Sequence, residues 1–178
     1  MTYIISILFI NIILSNYNII QSESSIEYFG SHPTHNFSGH ASVIQLLSDC
    51  NKSNTKGLCD LEFKAPIISL NSGNDNRDNN MLNYLKAFSY PEIKMYFDNF
   101  EVKEYSGEFI DGSIYIHGVN LDISIPLVVS NQLNNKYVVS STFSIYLDQF
   151  NINIPKLLFI PINNEIQIKV ELLIEKNN

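Results

Sequence analysis

The chain has 178 residues, enough for one domain with a sizeable core. Eighteen Asp and Glu against eleven Lys and Arg give a formal charge of −7, which argues against the basic footprint needed to grip nucleic-acid backbones or anionic membrane surfaces. Tyr and Phe are plentiful, Trp is absent and Gly and Pro are sparse, the composition of a β-rich globular protein rather than a disordered one.

Residues 3–14, YIISILFINIIL, form an apolar run the length of a signal-peptide core and too short to cross a bilayer comfortably. The polar segment QSESS follows, so the expected division is a leader over residues 1–24 and a mature domain over 25–178, secreted or periplasmic. An uncleaved anchor or a buried strand is the alternative reading of the run. The mature part is expected to open with a strand at 25–29, a break at Pro33, and a strand over 35–47 with Gly39 as a bulge. Cys50 and Cys59 bracket a polar stretch. That spacing suits a disulfide clipping a hairpin better than a zinc site, which needs two more ligands; two free thiols are the alternative. The disulfide is conditional on export to an oxidising compartment.

Residues 59–70 alternate apolar and polar side chains, with Pro66 marking an edge or kink. A turn-rich segment then leads into one short helix over 79–86, capped by Asp78 or Asn79, with Met81, Leu82 and Leu85 on one face. Strands are expected over 92–103, 107–117, 120–130, 137–147 and 165–175. The clearest pair meets at His117-Gly118-Val119-Asn120, where Gly118 lets the chain turn or bulge. The stretch with Pro155 and Pro161 reads as irregular. The resulting fold class is all-β: an eight-stranded antiparallel barrel with one short helix. Closing the sheet on itself removes exposed edges, and eight strands can enclose one small ligand.

His32, His35, His40 and His117 supply no metal or acid–base constellation, since His35 and His40 fall on opposite strand faces. No nucleophile elbow, phosphate loop or dinucleotide fingerprint is present, so no catalytic residue and no metal or cofactor site is assigned. Arg77 and Asp78 read as a clamp holding the helix across the barrel end rather than a catalytic pair. The inward apolar set is Leu61, Phe63, Ile93, Met95, Phe97, Ile114, Ile116, Leu121, Ile123, Phe143, Ile145, Ile166 and Ile168. From pattern alone these side chains fill a packed core.

Three ordered blocks change that balance. The first is Phe37-Ser38-Gly39 preceded by His35. The second runs from Ser69-Leu70-Asn71-Ser72-Gly73-Asn74 through Arg77-Asp78, Leu82 and Phe88 to Tyr90-Pro91. The third is Gly112-Ser113-Ile114-Tyr115-Ile116-His117-Gly118-Val119-Asn120 with Pro126. Together they resemble the YceI-like family of secreted, lipocalin-like proteins, in which Thr usually stands at the place of Asn120. The resemblance implies a lipocalin-like barrel, no enzyme activity, and an elongated pocket lined by the inward set. It further implies an apolar partner such as a polyisoprenoid or isoprenoid quinone, and Arg77, Asp78, Tyr90, Pro91 and Gly118 as structural motif residues. A secreted interaction module with a filled barrel is the alternative.

Overall fold

The computed structural model describes residues 16–50 and 57–177. These form thirteen strands and one α-helix: β1 (Tyr17–Ile19), β2 (Ser25–His32), β3 (His35–Ala41), β4 (Gln45–Asp49), β5 (Leu58–Pro66), β6 (Leu70–Asn71), α1 (Asp75–Tyr84), β7 (Glu92–Glu101), β8 (Tyr105–Ile116), β9 (Val119–Gln132), β10 (Lys136–Tyr146), β11 (Lys156–Leu157), β12 (Ile160–Pro161) and β13 (Glu165–Lys176). Eleven of them share one antiparallel sheet, in the order β4-β5-β7-β8-β9-β10-β13-β2-β3-β6, with β1 pairing β13 beyond the end of β2. β11 and β12 form a separate hairpin. The expected all-β, lipocalin-like barrel with one helix is what the chain adopts, though with thirteen strands among the described residues rather than eight, four of them only two or three residues long. The apolar run at 3–14 lies outside the described residues.

The sheet curls until its edge strand β4 comes up against β1, which is paired to β13. β3 and β4 are consecutive in the chain, yet β4 is one end of the strand order and β3 lies next to the other, beside β6, so residues 42–44 carry the chain across the seam. That is why 35–47 is two strands rather than one. Side chains close the seam. The Gln21 amide accepts from Ile44 N at 3.1 Å and donates back to Ile44 O; Tyr17 N donates to Ser48 Oγ at 2.9 Å, and Cys50 N donates to Asn16 Oδ1 at 3.0 Å. On the other flank Ser42 N donates to Ser69 O at 2.9 Å. Residues 16–21 are therefore part of the barrel, upstream of the expected leader boundary at 24.

Cross-strand register explains two glycines. Tyr28 lies opposite Gly39, and a Cβ on Gly39 would meet the Tyr28 hydroxyl at 2.2 Å. Phe37 lies opposite Gly30, and a Cβ there would meet its ring at 2.3 Å. Each glycine yields its side-chain space to an aromatic ring laid flat across the neighbouring strand. Gly39 thus makes room for a ring within a regular ladder, not a bulge. The β8–β9 connection is a two-residue turn with positive φ at His117 (54°) and Gly118 (83°), the backbone that a tight hairpin favours.

Cys50 and Cys59 are bonded and follow directly on the Asp49–Asp60 pair of the β4–β5 ladder. By the chain-entropy account a loop this short contributes about 2–3 kcal/mol. The double variant Cys50→Ser, Cys59→Ala is expected to lower the unfolding free energy by about that amount, read as a reduced urea midpoint.

α1 begins a turn earlier than the expected 79–86 helix. Asn74 is its N-cap, accepting from Arg77 N at 3.0 Å, because Asp78 is engaged elsewhere. Met81, Leu82 and Leu85 face the core as expected.

Candidate functional site: an apolar cavity through the barrel

Alternation on each strand sends one set of side chains inward, and the inward sets of all the long strands enclose a cavity of about 840 Å³. It runs from Tyr17, Ala41 and Leu46 at the seam to a mouth at the opposite end of the strands. The mouth is framed by solvent-exposed lining residues: Asn76 and Asn80 of α1, His35 at the start of β3, and Lys156 and Leu157 of the β11–β12 hairpin. The wall between is aliphatic and aromatic apart from Ser141, whose hydroxyl donates to Pro126 O at 2.7 Å.

All but two of the expected inward residues line this cavity: Leu61, Phe63, Ile93, Met95, Phe97, Ile114, Ile116, Phe143, Ile145, Ile166 and Ile168. Leu121 and Ile123 do not. β9 keeps its ladder with β10 only from Val128↔Ser140 to Gln132↔Lys136, and nearer the mouth the two strands part. The segment after β10 fills that gap. Phe150 and Ile152 are buried there in one cluster with Ile154, Leu121 and Ile123, so these two inward residues support a plug instead of facing the cavity. Sequence reasoning missed the plug because it treated 148–164 as irregular; the alternation in Asn151-Ile152-Asn153-Ile154 was the available signal. It likewise missed Ile125, Leu127, Val129 and Leu172, which carry the lining towards the seam.

His117 holds the plug to the β8–β9 turn: its Nδ1 donates to Phe150 O at 2.9 Å. Tyr90 packs edge-on against the His117 ring, 5.4 Å between centroids, and its own ring lies where a Cβ on Gly118 would stand, 2.7 Å away. Pro91 O accepts from Ile67 N at 2.8 Å. Thus Tyr90, Pro91, His117 and Gly118 form one structural joint at the mouth end.

Arg77 and Asp78 act through a shared partner. Both carboxylate oxygens of Asp78 accept from Ser72 N, at 3.1 and 3.2 Å, while Arg77 Nε donates to Ser72 Oγ at 2.8 Å and a terminal nitrogen to Ser72 O at 3.0 Å. The guanidinium also sits 5.5 Å from the centre of the Phe37 ring. Ser72 is thereby fixed from two sides, which pins the start of α1 over β3. Among the described residues no three His, Cys, Asp or Glu side chains come together as a metal site.

Burial raises the Tyr28 phenol above its ordinary 10.0, and the nearby Asp78 carboxylate adds to this; burial followed by Tyr137 does the same for Tyr17. A raised folded-state value means the neutral form is favoured in the fold. The stability this contributes is complete below the unfolded value and lost as pH rises through the folded one. These two groups accordingly add no pH dependence to unfolding near neutrality, and the loss of stability they cause is expected to set in above about pH 10. Tyr28→Phe should soften that alkaline loss, measured by denaturation midpoint alongside phenolate absorbance.

The wall carries one further physical consequence. A mostly aliphatic and aromatic cavity, with its charged side chains near the mouth and only Ser141 and the Tyr17 and Tyr137 phenols as polar groups further in, offers hydrophobic burial to an elongated apolar molecule and few fixed partners to a polar one. Several solved structures share this architecture. BcnA of Burkholderia cenocepacia superposes with a TM-score of 0.71 at 14% identity, over 88% of this chain and 99% of that one. A polyisoprenoid binding domain from Saccharophagus degradans, implicated in plant cell wall breakdown, gives 0.72 at 15% identity over 92% and 100%. The YCEI protein of Campylobacter jejuni gives 0.57 at 16% identity over 99% and 92%. No curated protein matches the chain. The model of the YceI-like domain matches residues 17–174, from the first strand of the barrel almost to the end of the last, and the chain belongs to that family.

Proposed function

We propose that this protein is an exported, non-enzymatic carrier that holds a long apolar chain, an isoprenoid or related lipid, inside the barrel. The observation that carries this reading is the cavity of about 840 Å³ with its continuous aliphatic and aromatic wall, towards the upper end of the roughly 300–1,000 Å³ usual for small-molecule sites. The similarity in fold to a polyisoprenoid binding domain supports the same class of ligand. An interaction module with a filled barrel is disfavoured by that open volume. Each methylene buried contributes about 0.8 kcal/mol gross, offset in part by ordering and association. Affinity for prenyl or acyl chains of increasing length should therefore rise stepwise and level off once the cavity is full. Displacement of an environment-sensitive dye from delipidated protein measures this; affinity independent of chain length would refute the carrier reading.

Export is supported by the disulfide, which persists in oxidising compartments. Because Asn16, Tyr17 and Gln21 close the barrel seam, we place leader removal upstream of Asn16 rather than at 24. Intact mass of the exported protein is expected to include residue 16. A mature chain beginning at 25 would contradict this placement.

A further inference from the structure

One apolar element at the mouth is left unexplained by the cavity wall. In the β11–β12 hairpin Lys156 pairs with Pro161 and Leu157 with Ile160, leaving Leu158 and Phe159 as a two-residue tip. Both have positive φ, 50° and 70°. Such turns favour Asn-Gly, because side chains of other residues meet steric cost in that region. Here two bulky apolar residues occupy it, and they stand 82% and 96% exposed. Folding gains little from a strained turn whose large side chains project into solvent, which makes the turn a candidate for function.

Three further observations bear on what it meets. Residues 149–164 contain no carboxylate and a single cation, Lys156, in a chain of net charge −7. Pro155, Lys156 and Leu157 also line the cavity, so the hairpin that carries the tip forms part of the rim of the mouth. Phe88 is fully exposed at the same end, where the Tyr90–His117 contact and the His117–Phe150 hydrogen bond tie its turn to the plug.

We propose that the β11–β12 hairpin is a membrane-docking tip, in which Leu158 and Phe159 insert into the boundary between acyl chains and headgroups, with Phe88 as a second point of contact. Docked in this way, the mouth faces the lipid phase, and an apolar chain passes along Leu157 into the barrel without crossing water. The proposal rests on the lipid-carrier reading and says where the cargo is loaded. A bilayer suits the tip better than a protein partner does. A convex point of a few side chains is small beside the roughly 1,200–2,000 Å² of a stable protein interface, but it suffices for shallow, reversible insertion. Lys156 at the base of the hairpin sits where its ammonium can reach phosphate level. With no basic cluster beside it, burial rather than anionic lipid drives the contact.

The test is flotation of the mature protein with phosphatidylcholine vesicles, with and without anionic lipid. Wild type is expected to float with little dependence on salt. Leu158→Asp with Phe159→Asp is expected to lose about tenfold or more of the bound fraction. Leu133→Asp, at an equally exposed apolar site on the β9–β10 turn at the far end of the barrel, is expected to float as wild type does. A short, soluble prenyl alcohol should bind wild type and the tip variant equally, while transfer of a long-chain prenol between vesicles falls in step with flotation. The proposal is overturned if wild type fails to float, if the tip variant floats and transfers normally, or if the tip instead controls a monomer–dimer equilibrium. Tip-dependent flotation with no prenyl alcohol bound would uphold docking and remove the carrier reading.

Discussion

Replacing Ala65 by Phe is expected to abolish retention of a long apolar chain while leaving the barrel folded. Ala65 lies on β5 between inward neighbours Phe63 and Ile67, opposite Ile93 of β7, and its small side chain lines the cavity. A phenyl group there extends into open volume instead of a packed wall, so the overpacking penalty of about 1–3 kcal/mol that a filled core imposes should be largely avoided. The ring competes directly with cargo. Displacing three or four methylenes at about 0.8 kcal/mol each removes roughly 3 kcal/mol of binding, or two orders of magnitude in Kd. Ligand titration together with thermal unfolding separates the two effects: affinity should collapse while Tm holds. Unchanged affinity would mean that the bound chain does not pass Ala65.

Phe150→Ala is expected to do the reverse, with its main effect on stability. Phe150 is 1% exposed, the largest fully buried side chain among the described residues, and its carbonyl anchors His117. Truncation leaves a void beside Ile152, Leu147 and Ile116 and loosens the plug between β9 and β10. Substitutions of this kind cost about 3–5 kcal/mol, a large share of a domain's typical 5–15. For a chain of this length that lowers Tm by roughly 10–15 °C. Calorimetry on delipidated protein measures it, since bound ligand would mask part of the loss by mass action. A shift below about 3 °C would show that the plug does not hold the barrel.

The two substitutions also mark what the sequence does and does not disclose. The walls that Ala65 belongs to follow from period-two alternation, which is unambiguous in β8, β9 and β13 because each runs for ten residues or more. The turn at His117-Gly118 is equally legible, since few residue pairs tolerate two positive φ values in succession. The plug around Phe150 was not legible, because it is neither strand nor helix and is defined by where β9 and β10 separate, a property of the closed sheet. The seam escaped notice for a similar reason. Tyr17–Ile19 is too short to show a period, and the Gln21 amide acts as a substitute ladder only once β13 and β4 are brought side by side. The split of 35–47 into β3 and β4 has no proline or glycine to announce it, and the crossing between barrel edges imposes it. Helix α1 shows local competition: the sequence offers Asp78 or Asn79 as the cap, but Ser72 claims the Asp78 carboxylate, the helix starts earlier and Asn74 caps it.

Whether the barrel carries an apolar chain is decided by native mass spectrometry of the protein produced in an oxidising compartment, followed by solvent extraction of whatever is bound. The expected result is a population heavier than the polypeptide by one discrete mass, released by organic solvent and identified as a prenyl or acyl chain. Its loss in Ala65→Phe should be complete. Bare polypeptide mass alone, in a protein that also takes up no added prenyl or fatty-acyl lipid, would contradict it and leave the cavity as a feature of the fold only.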